Sequence, residues 1–268
     1  MTAVITLTTD FGYGDGYTAA LKGVILSINP EVRLVDITHS IKSQDIGETA
    51  FILSTVYPYF PKDTIHLVIT DPGVGTGRKA IILKTPAAYF VAPDNGVLSY
   101  VIQDYADKSG VFNMASALET VVISNPKYFR QPVSNTFHGR DIFAPAAAHL
   151  SLGTPLSEFG KTLNSLTTFD LPQPRLEADG SWTGEIIHID SFGNLITCFR
   201  ESDLPSTDLT ISIGGKSIRG LSTAYAGNRK LTAVTGSSGY LEIAGKNGRA
   251  SDYLGATVGD EVKIISRQ

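Results

Sequence analysis

Val4-Ile5-Thr6-Leu7-Thr8-Thr9 runs straight into Asp10-Phe11-Gly12-Tyr13-Gly14-Asp15, and this junction decides how the first half of the chain reads. The first six residues are β-branched or apolar and carry no charge, the composition of a strand buried on both faces. The glycines after Asp10 let the backbone turn tightly. A helix is expected over about residues 15 to 28. It must end near Asn29-Pro30, because a residue before proline is pushed out of the helical region. Arg33-Leu34-Val35-Asp36-Ile37 then returns as a strand, giving a strand, helix, strand unit.

The alternation continues outward. A second helix is expected over about residues 45 to 57, stopping before Pro58 and Pro61, followed by the strand Ile65-His66-Leu67-Val68-Ile69-Thr70. Further strands read at Ala80-Ile81-Ile82-Leu83 and Tyr89-Phe90-Val91-Ala92, and a helix around residues 142 to 150. Residues 1–167 therefore read as an α/β domain with a largely parallel, helix-flanked sheet, in which ligands gather where strands give out into loops. Two prolines and little periodicity mark a linker from Thr167 to Pro174. Across residues 178–268 the pattern changes to short strands broken by glycines, a smaller all-β domain of barrel or sandwich type.

The bulk composition narrows the function classes. The chain has 268 residues, 42% of them apolar, and no apolar run long enough to cross a bilayer. Met1 to Leu7 lack the pattern of a secretory signal, and Cys198, the single cysteine, has no partner for an internal disulfide, so a cytoplasmic location is expected. The net charge of -4 arises from scattered residues without a Lys/Arg block, so neither nucleic acid nor membrane is an expected partner.

Three segments concentrate acid, base and glycine at strand ends: Asp10 to Asp15, Thr70-Asp71-Pro72-Gly73-Val74-Gly75-Thr76-Gly77-Arg78, and Asn135-Thr136-Phe137-His138-Gly139-Arg140-Asp141. In the first, Asp10 and Asp15 can accept hydrogen bonds from a sugar diol or an ammonium group, or Asp15 can simply cap the helix. In the second, Arg78 can reach back to Asp71 and hold it ionised, or form a plain loop salt bridge. In the third, a neutral His138 can orient or deprotonate water, or be structural. His39, His66, His149 and His188 show no metal-ligand spacing, so no metal site is expected.

Taken together, these segments resemble the S-adenosylmethionine hydroxide adenosyltransferases, hydrolytic relatives of the fluorinating and chlorinating enzymes. The resemblance also includes Ala92-Pro93-Asp94-Asn95-Gly96, Asp190-Ser191-Phe192-Gly193-Asn194 and Ser237-Ser238-Gly239-Tyr240-Leu241-Glu242-Ile243-Ala244, and so runs through both halves of the chain. It implies an α/β first domain, a β-barrel second domain, and a homotrimer whose ligand lies between one subunit's first domain and its neighbour's second. It implies Asp71, Arg78 and His138 as the catalytic set. It also implies Asp10 on the ribose hydroxyls, Asp15 on the methionine ammonium group, Asn194 and Asn247 on the adenine edge, Phe192 and Tyr225 against the purine, and Ser237 with Ser238 at the amino-acid end. The halogenating relatives lack the Asp, Arg, His set and carry a long insertion where this chain passes directly from Ile81 to Tyr89, which makes water the expected nucleophile and a halogenase the alternative.

The sulfonium makes ribose C5′ an activated electrophile whose thioether leaves neutral, so no acid and no cofactor are required. Asp71 and His138 are both placed by the resemblance to position water and accept its proton, with Arg78 fixing Asp71, and the rate is expected to rise with pH until the water or its base is deprotonated. Two other classes compete: metal-dependent phosphoester hydrolysis using Asp10, Asp15, Asp71 and His138 as ligands, and a non-catalytic adenosine-ligand binding protein.

Overall fold

A computed structural model describes residues 2–105, 118–204, 206–225 and 229–266. The chain divides into two compact units, Met1–Phe169 and Asp170–Gln268.

In the first unit the elements are β1 (Val4–Thr9), α1 (Tyr17–Ile28), β2 (Arg33–Thr38), α2 (Ile46–Val56), β3 (Thr64–Ile69), β4 (Ala80–Lys84), β5 (Ala88–Pro93), α3 (Ser99–Gln103), β6 (Glu119–Val122), a π-helical turn (Gly139–Phe143), α4 (Ala144–Ser151) and α5 (Leu156–Phe159). The sheet order is β2-β1-β3-β5-β4-β6. The pairings β1/β2, β1/β3 and β3/β5 are parallel, whereas β4 runs antiparallel to both β5 and β6. Only Thr85, Pro86 and Ala87 separate β4 from β5, too few for the crossover a parallel pair needs.

β3 is central and all six of its residues are buried, which is why its sequence is nearly all apolar. Successive side chains serve opposite faces. Ile65, Leu67 and Ile69 join Leu21 and Ile25 of α1 and Ala144 and Ala147 of α4 in one core cluster. Val68 joins Leu53 of α2 and Val101 of α3 in the other. Helix α1 starts at Tyr17, two residues later than the sequence suggests, with Gly16 and not Asp15 at the N-cap position and no side-chain cap. Helix α2 starts as expected, Asp45 accepting the Glu48 amide at 2.9 Å.

The second unit comprises β7 (Arg175–Leu176), β8 (Trp182–Ile189), β9 (Leu195–Arg200), β10 (Leu209–Ile213), β11 (Lys216–Arg219), β12 (Leu221–Ser222), β13 (Leu231–Thr235), β14 (Tyr240–Gly245), α6 (Ala250–Leu254) and β15 (Glu261–Ser266). Its strands run β11-β10-β15-β8-β9-β14-β13-β12 in a nearly closed, barrel-like sheet, with β7 on β8. Inward residues such as Ile186, Phe199, Ile211, Leu241 and Ile264 are fully buried. Among the described residues no helix is long and apolar enough to cross a membrane.

Candidate active site

β1 and β3 are neighbours in the register Thr9 to Ile69, so the chain leaves both at one edge of the sheet. Asp10 follows β1 directly and Asp71 lies two residues beyond β3. Since β1 leads to β2 on one side while β3 stands on the other, this edge is the switch point of the parallel sheet, where departing loops leave a crevice. A cavity of about 270 Å³ opens there, lined among others by Asp10, Phe11, Tyr17, Gln44, Asp71, Phe137 and His138.

Asp71 and Arg78 form a buried pair, their side chains 6% and 10% exposed. Arg78 Nε lies 2.9 Å from each Asp71 oxygen, and Nη2 also donates to Oδ2. The same Nη2 lies 3.0 Å from His138 Nδ1. The guanidinium stacks over Phe143 at 5.1 Å, which fixes its plane. Asp71 and His138 line the cavity, while Arg78 stands behind them.

Arginine has no acceptor atom, so in the Arg78–His138 contact Nη2–H donates and Nδ1 accepts. The single proton of a neutral imidazole is then on Nε2. Burial, and then the Arg78 cation, push the His138 pKa below its ordinary 6.5, against the pull of Asp71 and Asp141. The ring is therefore neutral at pH 7 and offers the cleft a donor, not a base.

The loops are braced from behind. Asn95 Nδ2 donates to the Thr70 carbonyl at 2.9 Å, and Thr49 Oγ1 to Thr70 Oγ1 at 2.8 Å, just before Asp71. Fully buried Asp141 accepts Arg140 Nε at 2.7 Å, Arg140 Nη2 at 2.8 Å and the Ser134 amide at 2.9 Å, clamping the segment that carries Thr136, Phe137 and His138. Burial pushes Asp141 up, but Arg140 and the Ser134 amide outweigh it and hold the carboxyl below its usual value. Gly75 has φ of +78°, and a Cβ there would stand 2.6 Å from the Asn135 carbonyl oxygen, so the Asp71 loop and the His138 loop touch through bare backbone.

The other residues singled out from the sequence distribute as follows. Asp10 is half-buried in the cleft, its Oδ2 accepting the Gln44 amide at 2.8 Å. Asp15 is exposed and lies outside the cavity lining. In the second unit, Asn194 donates from its side chain and its amide to Asp190 at 2.9 and 2.8 Å, in the turn between β8 and β9 that also carries the exposed Phe192. Arg249 packs against Gly193 and donates to the Ser191 carbonyl at 2.8 Å, bringing the loop of Asn247 beside this turn. Tyr225 donates to the buried Glu242 at 2.7 Å; burial and that bond push the phenol up to about 12, and burial also raises the Glu242 carboxyl. Ser237 and Ser238 occupy the turn between β13 and β14, at the end of β14 opposite Asn247, about 17 Å away along the strand.

The aromatic trio Phe11, Tyr17 and Phe137, with ring centroids 5.2 to 5.9 Å apart, walls the cleft and was not singled out from the sequence. Two further carboxylates, Asp190 and Glu242, lie in segments that carry the resemblance but have no role assigned by it; a lone acid inside Leu241-Glu242-Ile243 is the signal available for the latter. Among the described residues no group of three His, Cys, Asp or Glu side chains is disposed to hold a metal ion.

Comparison with known proteins identifies the family. Residues 5–160 match the model of the SAM hydroxide adenosyltransferase N-terminal domain and residues 184–263 that of the C-terminal domain. The chain is 37% identical over 265 residues to the (R)-S-adenosyl-L-methionine hydrolase of Salinispora tropica, covering 98% of this chain and 97% of that one. It is 28% identical over 301 residues to the fluorinase of Nocardia brasiliensis, covering 97% of each. A crystal structure of an uncharacterized conserved protein from Thermotoga maritima superimposes with a TM-score of 0.86 at 38% identity, over 97% of this chain and 99% of that one. With both domain models matched in order and the hydrolase nearer than the fluorinase, the chain belongs to the SAM hydroxide adenosyltransferase family.

Proposed function

We propose that this enzyme hydrolyses S-adenosyl-L-methionine to adenosine and L-methionine, water attacking ribose C5′ in line with the departing sulfur. The observation that carries the reading is the contact of Asp71, Arg78 and His138 at the switch-point cleft. As the C–O bond forms, the C5′–S bond breaks and its electron pair goes to sulfur, which leaves as a neutral thioether. The water's proton passes to Asp71, whose oxygens keep lone pairs beyond those used by Arg78. His138 donates from Nε2 to the attacking oxygen and so orients it, and Arg78 holds both partners in place. No cofactor enters this scheme.

Asp10 is assigned to the ribose diol and Asp15 to the ammonium group of the substrate. Asn194 and Asn247 take the adenine edge between Phe192 and Tyr225, and Ser237 and Ser238 the amino-acid end. The separation of the two serines from Asn247 along β14 suits an elongated ligand with a purine at one end. The homotrimer, with each ligand lying between neighbouring subunits, is proposed from the family resemblance alone. The cytoplasm is the proposed compartment, in keeping with a single, buried cysteine. The Salinispora relative is named for the R configuration at sulfur, and we take the R epimer as the substrate here.

The test is incubation with each sulfonium epimer in metal-free buffer, with and without chloride, followed by chromatography. Adenosine plus methionine from the R epimer, unaffected by chloride or chelator, is the expected result. 5′-Chloro-5′-deoxyadenosine would reassign the enzyme as a halogenase, chelator sensitivity would favour metal-dependent hydrolysis, and unchanged substrate would favour a binding protein.

The neutral state of His138 sets the pH dependence. Protonation at Nδ1 would destroy the acceptor that Arg78 uses, so kcat/KM should fall as pH drops through a value below 6.5. A pH–rate profile with its acid limb above 6.5 would contradict the assignment of His138 as a neutral donor.

A further inference from the structure

His39 is fully buried, directly follows β2, lies outside the three acid- and glycine-bearing segments, and takes no part in the chemistry above. Its neighbours form a directional chain. Lys22 Nζ on α1 donates to Asp36 Oδ2 on β2 at 2.6 Å. His39 Nε2 faces Asp36 Oδ1 at 3.1 Å; the contact is bent from ideal hydrogen-bond geometry, and neither atom has another partner among the described residues. His39 Nδ1 lies 2.8 Å from Thr9 Oγ1, and Thr9 Oγ1 accepts the Phe11 amide at 3.2 Å. The His39 carbonyl accepts the Gly12 amide at 2.7 Å, and the Tyr13 ring packs edge-on against the imidazole at 5.2 Å.

These contacts fall on both sides of Asp10. Thr9 precedes it, and Phe11, Gly12 and Tyr13 follow it, so the turn that presents Asp10 to the cleft is wrapped around His39. The Asp36 carboxylate decides the tautomer of the neutral ring. The proton belongs on Nε2, which faces the Asp36 carboxylate at 3.1 Å and would otherwise set lone pair against lone pair; Nδ1 then accepts the Thr9 hydroxyl proton, and the hydroxyl oxygen takes the Phe11 amide. Burial lowers the His39 pKa, which keeps that ring neutral. Burial pushes Asp36 the other way, up, but Lys22 and His39 outweigh it and leave the carboxyl below its ordinary value.

We propose that His39 is a positioning residue, clasping the turn of Asp10 through Thr9 and Gly12 while Asp36 and Lys22 fix its ring from behind. The consequence for binding rests on the assignment of Asp10 to the ribose diol. An Asp10 held by a buried clasp meets the ribose without first being ordered, and this interaction is made equally in ground and transition states. Loss of the clasp should therefore raise KM and leave kcat little changed.

The test uses Thr9→Val, which keeps the shape and removes the hydroxyl, and Thr9→Ser, which restores it. Thr9→Val should raise KM for S-adenosylmethionine, and Kd for adenosine by calorimetry, about tenfold, the scale of one unsatisfied buried group. Hydrogen exchange at the Phe11 and Gly12 amides should quicken about tenfold with it. Thr9→Ser should recover both values. The double variant Thr9→Val with Asp10→Asn should bind no worse than Asp10→Asn alone, because a clasp that acts through Asp10 has nothing left to position. Additive losses, or wild-type KM and exchange in Thr9→Val, would overturn the proposal. If Thr9→Val does not fold, Asp36→Asn, at the half-exposed end of the chain, replaces it: a raised KM with faster Phe11 and Gly12 exchange supports the clasp, and unchanged values overturn it. Wild-type protein that neither turns over substrate nor binds adenosine would refute the ribose assignment, and the exchange rates then decide the clasp by themselves.

Discussion

Asp71→Asn is expected to lower kcat about a hundredfold to ten-thousandfold while KM stays near the wild-type value. The amide oxygen can still accept Arg78 Nε and Nη2, so the buried contact and the cavity survive. What is lost is a group able to take the proton released as water becomes an alcohol oxygen. Since His138 gives up its Nδ1 to Arg78, the imidazole cannot substitute for Asp71 without breaking that bond. Timed release of adenosine, measured over a range of substrate concentrations, separates the two parameters. Near-normal kcat in this variant would show that the proton leaves by another route and would refute the role given to Asp71.

Arg78→Met should do more damage, because it fails in two ways. It leaves Asp71, whose side chain is 6% exposed, as a buried charge with its counter-ion gone, and this costs about 3 kcal/mol of folding stability or more. It also removes the donor that fixes the His138 tautomer, so turnover is expected to fall by about a hundredfold or more even at temperatures where the variant is folded. The cation that depresses the His138 pKa is gone as well, and the acid limb of any residual activity should move to higher pH. Thermal denaturation and a pH–rate profile read the two effects separately. Pairing Arg78→Met with Asp71→Asn should recover much of the stability and none of the activity. Recovery of activity in the double variant would refute the chemical roles given to both Asp71 and Arg78.

The first unit was legible because its signals are local. Uncharged β-branched runs marked β1 and β3, Pro30 and Pro58 marked helix ends, and Asp45 capped α2 where expected. The sheet reads as largely parallel, and the three residues between β4 and β5 mark where its antiparallel edge begins. In the second unit the sequence shows short strands broken by glycines, and elements as short as β11 and α6, four and five residues beside glycines, carry too little periodicity to be read individually. At the site, glycine-rich loops at strand ends point to Asp10 and Asp71, while His138 lies in a segment that leads into the π-helical turn and not at a strand end. The meeting of Arg78 with His138, sixty positions apart, depends on sheet register and on the Asp141 clamp, and no local pattern encodes either. His39 illustrates the same limit. A single histidine after a strand looks structural until the pairing of β1 with β2 sets it beside Thr9.

The bare contact between Gly75 and the Asn135 carbonyl bears on redesign toward other nucleophiles. Two segments that meet with no side chain between them have no slack in which one can be recast while the other stays put. A foreign loop in place of residues 71 to 78 that carries any side chain at position 75 would drive its Cβ to 2.6 Å from the Asn135 carbonyl oxygen, in the segment that carries His138. Exchange of both segments as one cassette, with the residue at position 75 kept as glycine, is the smallest change that alters the nucleophile's surroundings and keeps them assembled.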